Sequence, residues 1–211
     1  MEITSLKKYK GSTYEVELDC ERKIYLHIDI IADYGLKTGL NIERDQLRKI
    51  IYASNFRRAY QYALYCLDYR DYSAEEIFQK LVEKYKNENL CLEAVKKLAR
   101  AGLIDDRRYA ERLARKLVSS KKYGYHRAKR EMRLKGLRDD TVNEALEQYS
   151  SEFAENLAEL LNTKHYRLLT DKSDKKSIEK VKSALVRYGY GFDEINRAVK
   201  EYFVNAEQSE E

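Results

Sequence analysis

One short helical pattern occurs three times in this chain, and that repetition restricts the possible folds more than any other feature. Ala59-x-x-Tyr62-Ala63-x-x-Cys66 returns as Ala110-x-x-Leu113-Ala114-x-x-Leu117 and as Ala154-x-x-Leu157-Ala158-x-x-Leu161. Behind each copy comes a second apolar ladder: Ile77, Leu81, Tyr85; Ala128, Met132, Gly136; Val181, Leu185, Gly189. A third ladder follows: Ala94, Val95, Leu98; Ala145, Leu146, Tyr149; Ala198, Val199, Tyr202. In the last two ladders, six positions hold offsets of 51 residues from the first copy to the second and 53 from the second to the third. The leading pattern shifts by only 44 between copies two and three, because a longer polar stretch follows it in the third. The chain therefore reads as mainly α: three tandem three-helix repeats forming an elongated, curved helical body, the kind that lies along a partner.

The N-terminal 30 residues have a different period. Tyr14, Val16, Leu18 and Cys20 alternate with Thr13, Glu15, Glu17 and Asp19, and strand character resumes over 23–28, so a small antiparallel β segment is expected, with Ile3 to Tyr9 as a third strand. Asp29 to Tyr34 reads as a short helix ended by Gly35, and Asn41 as the cap of a long helix. The organisation is then a β-rich N-terminal extension (1–40), a connecting helix (41–56), repeats over 57–104, 105–150 and 151–204, and an acidic frayed tail (205–211). Local signals mark the units. Ser73 and Glu76 form a capping box, Gly102 stops a helix, Asp105 and Asp106 start repeat two, and 168–176 reads as a mobile polar linker. Proline is absent, so only Gly, Asn and Asp interrupt the helices. Tyr62, Tyr65 and Tyr69 share a helix face and read as a core wall or inter-repeat seam rather than a base-stacking platform.

Charge supplies the functional signal. Between Asp105 and Arg138 thirteen basic residues face four acidic ones, a net of +9 in a chain whose total is +5. Like charges at helical spacing repel, so such a block points to a polyanion or an acidic protein groove. Arg127, Arg130 and Arg133 step by three along one helix. Lys121, Lys122, Tyr123 and His126 sit where a loop and a helix N-terminus could meet phosphate or carboxylate.

Catalytic motifs are missing: no Gly-rich phosphate loop, no G-x-S-x-G and no H-E-x-x-H. His27, His126 and His165 fall in separate elements with no metal-ligand spacing, so no metal, cofactor or small-molecule substrate is expected, and the chain reads as a non-enzyme. Three widely spaced cysteines, no signal peptide and no apolar run of spanning length point to a cytoplasmic protein without a membrane partner.

The central segment resembles the RecX family of recombination regulators. That family shows G-L-[IL]-[DN]-D-x-x-[FY]-A, matched by Gly102, Leu103, Ile104, Asp105, Asp106, Tyr109 and Ala110. Its downstream G-x-x-x-[IL]-x-x-x-[LM]-x-x-K-G-[IL] is met by Gly124, Ala128, Met132, Lys135, Gly136 and Leu137, with Arg127 where a basic residue is usual. The family often has proline after the first Gly; here Tyr125 and His126 stand there, and Ala128 is small for its position. The resemblance spans roughly residues 57–203. It implies binding to the RecA recombinase filament on single-stranded DNA, with modulation, inhibition above all, of its ATP hydrolysis, assembly and strand exchange, in DNA repair and the SOS response, while the sign of that regulation stays open. Candidate RecA or DNA contacts are then Arg107, Arg108, Arg115, Lys121, Lys122, Tyr123, Arg127, Lys129, Arg130, Arg133 and Lys135. A helical-repeat protein binding nucleic acid directly, or a non-catalytic scaffold, remains open as an alternative.

Overall fold

The computed structural model describes residues 1–208, with side chains as far as Ala206. Its contacts divide the chain into two compact units. One holds Met1–Arg70 and Ile77–Leu103; the other holds Asp71–Glu76 and everything from Ile104 on.

The first unit opens with three antiparallel strands, β1 (Ile3–Lys10), β2 (Thr13–Leu18) and β3 (Arg22–His27), in the order β1-β2-β3. Val16 pairs with Leu6 on one side and Ile24 on the other. The alternation puts Val16, Leu18, Leu26 and Ile3 into a core with Ile30, Leu36, Ile42, Leu47 and Ile50. Helix α1 (Ile28–Asp33) is capped by His27, whose Nδ1 accepts from the Asp29 amide at 3.2 Å. Helix α2 runs unbroken over Arg44–Tyr69. Asn41 does not cap it, because residues 40–42 are extended along the start of β1. Asn41 bridges Glu2, the Ile3 amide donates to the Leu40 carbonyl, and the Ile42 amide donates to the Met1 carbonyl. Helices α3 (Ala74–Tyr85) and α4 (Glu88–Arg100) follow, and α2 packs on α4.

The tyrosines of α2 depart from expectation. Its buried line is Ala59, Ala63 and Cys66, which turns Tyr65 and Tyr69 outward to 71% and 85% exposure. Tyr62 is half-buried, with the Lys84 ammonium 3.5 Å from its ring centre. They do not wall a core.

The second unit contains α5 (Asp106–Arg115), α6 (Tyr125–Arg133), α7 (Asp139–Glu147), α8 (Ser150–Leu160), α9 (Lys175–Tyr188) and α10 (Phe192–Gln208). Both α5 and α8 run on into a π-helical turn, over Lys116–Ser120 and Leu161–His165. The buried Asn156 amide donates to the Val118 carbonyl inside the first of these turns, at 3.1 Å. The ladders converge on one core that includes Ala128, Met132, Ala145, Leu146, Val181, Leu185 and Val199. The stretch between α8 and α9 is less open than its composition suggests: Leu169 is buried in that core, and Asp174 caps α9 through the amides of Lys176 and Ser177. Residues 205–208 continue α10, behind the buried Phe203; the rest of the expected tail, 209–211, lies outside the described residues.

The third copy of the leading pattern is displaced by one residue. Ala154 and Ala158 are exposed, while Phe153, Leu157, Leu160 and Leu161 are buried. In burial these correspond to Ala110, Ala114, Leu117 and Val118, an offset of 43 where the sequence pattern has 44. Both choices satisfy a helical period, and the larger apolar side chains took the inward face.

Candidate nucleoprotein interface in the second repeat

Asp105 caps α5, its carboxylate accepting from the Arg108 amide at 3.0 Å. The segment before α3 belongs to this unit and packs here. Asp106 accepts from the Ala74 amide at 2.8 Å, and the Ser73 hydroxyl donates to the Lys135 carbonyl while accepting from the Glu76 amide. The inner face of α5 is Ala110 and Ala114, both wholly buried. Arg108, Arg112 and Arg115 therefore lie together on its outer face, four and three residues apart.

The eleven residues expected to form the contact fall into distinct groups. Arg108, Arg115 and Lys121 are exposed and form no ion pair among the described residues. Lys121 stands 5.5 Å from the Tyr123 ring. Arg107 is exposed but 3.4 Å from Glu144, and Arg130 is exposed 3.7 Å from Glu131. The others are engaged internally. Lys122, in a left-handed conformation at φ 56°, meets Glu159 at 2.9 Å. Lys129 donates to Asn143 at 2.8 Å, and Lys135 meets Glu76 at 3.1 Å. Arg133 pairs with both oxygens of Asp139, which holds that carboxyl below its ordinary range and raises the guanidinium further.

Arg127 is the clearest change. Its guanidinium lies 3.9 Å over the Tyr123 ring and donates to the Arg187 carbonyl at 3.0 Å. Arg127, Arg130 and Arg133 thus do not form a row of available cations. The α6 N-terminus is also occupied. The Gly124 amide donates to the Tyr188 carbonyl at 2.9 Å and the His126 amide to the Gly189 carbonyl at 3.1 Å, which removes two donors an anion could use.

Two exposed cations outside the expected set, Lys116 and Arg138, also form no ion pair among the described residues. The signal for Lys116 was its place beside Arg115, one step from the outer row of α5. Among the described residues no group of three or more His, Cys, Asp or Glu is placed to hold a metal ion, and no helix is long and apolar enough to cross a membrane. His165 is half-buried, and burial with the nearby Lys164 pushes its pKa down.

Tandem three-helix domains with a cationic outer face on the second define a helical-repeat protein. Comparison with known proteins is more specific. The model for the first three-helix domain of RecX matches residues 59–98, and that for the second matches residues 105–146. A regulatory protein RecX from Clostridium acetobutylicum is 29% identical over 201 residues, covering 93% of each chain. One from Bacillus pumilus is 25% identical over 211 residues, covering 99% of this chain and 80% of its own. A crystal structure of a regulatory protein RecX superposes with a TM-score of 0.73 at 22% identity, covering 95% of this chain and 98% of that one. The two domain models and these relatives along nearly the whole chain support the RecX family of regulatory proteins.

Proposed function

We propose that this chain is a cytoplasmic, non-catalytic regulator that binds the RecA–single-stranded-DNA filament and inhibits its ATP hydrolysis, assembly and strand exchange. The observation that carries this reading is the set of exposed cations in the second repeat that form no ion pair among the described residues: Arg108, Arg115, Lys116, Lys121 and Arg138. Most of their basic neighbours face carboxylates, so these five are the cations most available to a polyanion. Contacts of this kind fix position along a phosphate backbone without reading sequence, which suits a filament formed on any DNA.

The test is RecA ATPase on single-stranded DNA with increasing amounts of this protein. Wild type should lower hydrolysis. The variant R108E/R115E/K121E should need at least about tenfold more protein, with its helical circular dichroism unchanged. An unaltered titration would remove the second repeat from the mechanism. The same cations could meet DNA phosphates with no recombinase present, and a salt titration separates the two cases. Direct binding that stays tight at physiological salt without RecA supports a nucleic-acid-binding protein acting alone.

A further inference from the structure

The third repeat differs from the others in the seam between its outer helices. In the first two, Ala59 and Ala63 of α2, and Ala110 and Ala114 of α5, are buried where α4 and α7 pack against them. Small side chains let helix axes approach closely. The third repeat carries Phe153 and Leu157 at those places. Between α8 and α10 lies a groove of about 620 Å³, the scale of a ligand site rather than a packing defect.

The groove is long as well as large. Along α8 and the π-helical turn behind it the groove is bordered at Ser150, Ala154, Ala158 and Asn162, and along α10 at Glu194, Ala198, Tyr202 and Ala206, about three turns on each side. Leu157, Leu161 and Tyr190 give it an apolar floor. Among the described residues its charged lining is Glu147, Glu194 and Glu201 against Arg197. Glu194 also accepts from the Gly191 amide at 2.8 Å, which fixes its carboxylate without neutralising it.

We infer that the α8–α10 groove is a docking site for a cationic amphipathic helix of a partner protein, its apolar edge on the Leu157–Leu161 floor and its basic residues against Glu147, Glu194 and Glu201. Three turns of apolar floor match the i, i+3, i+4, i+7 anchors of a helix lying in a groove. The acidic rim selects for basic flanks and against nucleic acid. This surface is separate in chemistry from the cationic face of α5 and does not depend on it.

The test uses the full chain and a labelled leucine–lysine peptide of roughly 14 residues, with leucines at i, i+3, i+4 and i+7, followed by fluorescence anisotropy. Saturable binding is expected. It should weaken at least about tenfold in Ala158→Trp, which fills the groove from an exposed position, and weaken also in Glu201→Lys, with helical content kept in both. A glutamate-substituted peptide should not bind. Equal affinity for wild type and Ala158→Trp, equal binding of the glutamate peptide, or no binding at all would overturn the inference. Sedimentation showing a dimer that Ala158→Trp disrupts would assign the groove to a second copy of this chain, and would overturn it too. The variant R108E/R115E/K121E should bind the peptide as wild type does, so the outcome here and that for the filament are independent.

Discussion

Gly124 and Gly189 meet backbone to backbone, where the entry to α6 crosses the end of α9. A Cβ built on Gly124 would lie 2.6 Å from the carbonyl carbon and oxygen of Gly189, and one on Gly189 would collide with Arg127. Gly189 also sits at φ 95°, the left-handed cap of α9. The space each glycine vacates is filled by the other strand of chain, and the amides of Gly124 and His126 close the crossing onto the carbonyls of Tyr188 and Gly189.

Gly124→Ala should therefore destabilise the second unit by about 2–3 kcal/mol, since the obstructing atoms are backbone and cannot rotate away. Urea unfolding followed by circular dichroism measures it. The double variant with Gly189→Ala should cost less than the sum of the single changes, because both relieve or strain one contact. Strict additivity would mean the two glycines do not act on a shared crossing.

Arg127 and Arg108 carry the same charge and should behave in opposite ways. Arg127→Ala removes the stack on Tyr123 and the hydrogen bond to the Arg187 carbonyl, an expected loss of about 1–2 kcal/mol. Lysine should not restore it, having no planar group to cover the ring. Arg108→Ala, on the outer face of α5, should change stability by no more than about 0.5 kcal/mol while weakening the effect on RecA. Thermal melts of the two variants beside their ATPase titrations separate a positioning arginine from a contact arginine.

What could be read from the sequence was local or periodic. The Ser73–Glu76 box and the Asp105 cap are formed because each needs only residues three apart. The second and third ladders are buried or half-buried at every position, because constant offsets of 51 and 53 reflect packing that every copy repeats. Non-local competition stayed hidden. Asn41 looks like a cap until Glu2 claims it as a bridge partner. Tyr65 and Tyr69 share a face with each other but not with Ala63 and Cys66, and one helical step decides which row goes inward. The basic window was visible as a count. Its sorting into paired and unpaired cations depended on Glu76, Glu144, Glu159 and on Asp71, which meets Arg112 at 2.6 Å, and sequence distance conceals all four.

Ser73 tests how much the segment before α3 owes to its contacts with the second repeat. Its buried hydroxyl accepts from the Glu76 amide and donates to the Lys135 carbonyl. Ser73→Ala loses a cap and strands the partly buried Lys135 carbonyl, so a cost of about 2 kcal/mol is expected, more than the ~1 kcal/mol of an ordinary exposed cap. Amide exchange should show faster opening at Ala74 and Glu76. A loss no greater than that of an isolated cap would remove the Lys135 contribution.

His165 should make stability depend on pH above the carboxylate range. Burial, with Lys164 nearby, puts its folded pKa below the ordinary 6.5, so the unfolded chain takes up the proton more readily. Stability from this source is complete above about pH 6.5 and declines as pH falls through that value toward the folded pKa. The native carboxylates with lowered pKa values, Asp139 and Asp174 among them, act only at lower pH. The urea midpoint of wild type should drop between pH 7 and pH 5.5, and His165→Phe should flatten that drop. An equal drop in both proteins would place the titrating group elsewhere.

The register of α8 can be decided by two adjacent residues. Leu157 is 3% exposed and belongs to the core of the second unit, whereas Ala158 is exposed along the α8–α10 groove. Leu157→Ala should cost about 2–4 kcal/mol, the transfer of a buried isobutyl group plus the cavity it leaves. Ala158→Ser should stay within about 0.5 kcal/mol, because its methyl already faces solvent. The alternative register, in which Ala154 and Ala158 line the seam as their counterparts do in the first two repeats, demands a sizeable cost at Ala158 from burying an unpartnered hydroxyl. Chemical denaturation of the two variants distinguishes the registers directly. The result also bears on the groove, since Phe153 and Leu157 can hold α10 away from α8 only if they occupy the inward positions.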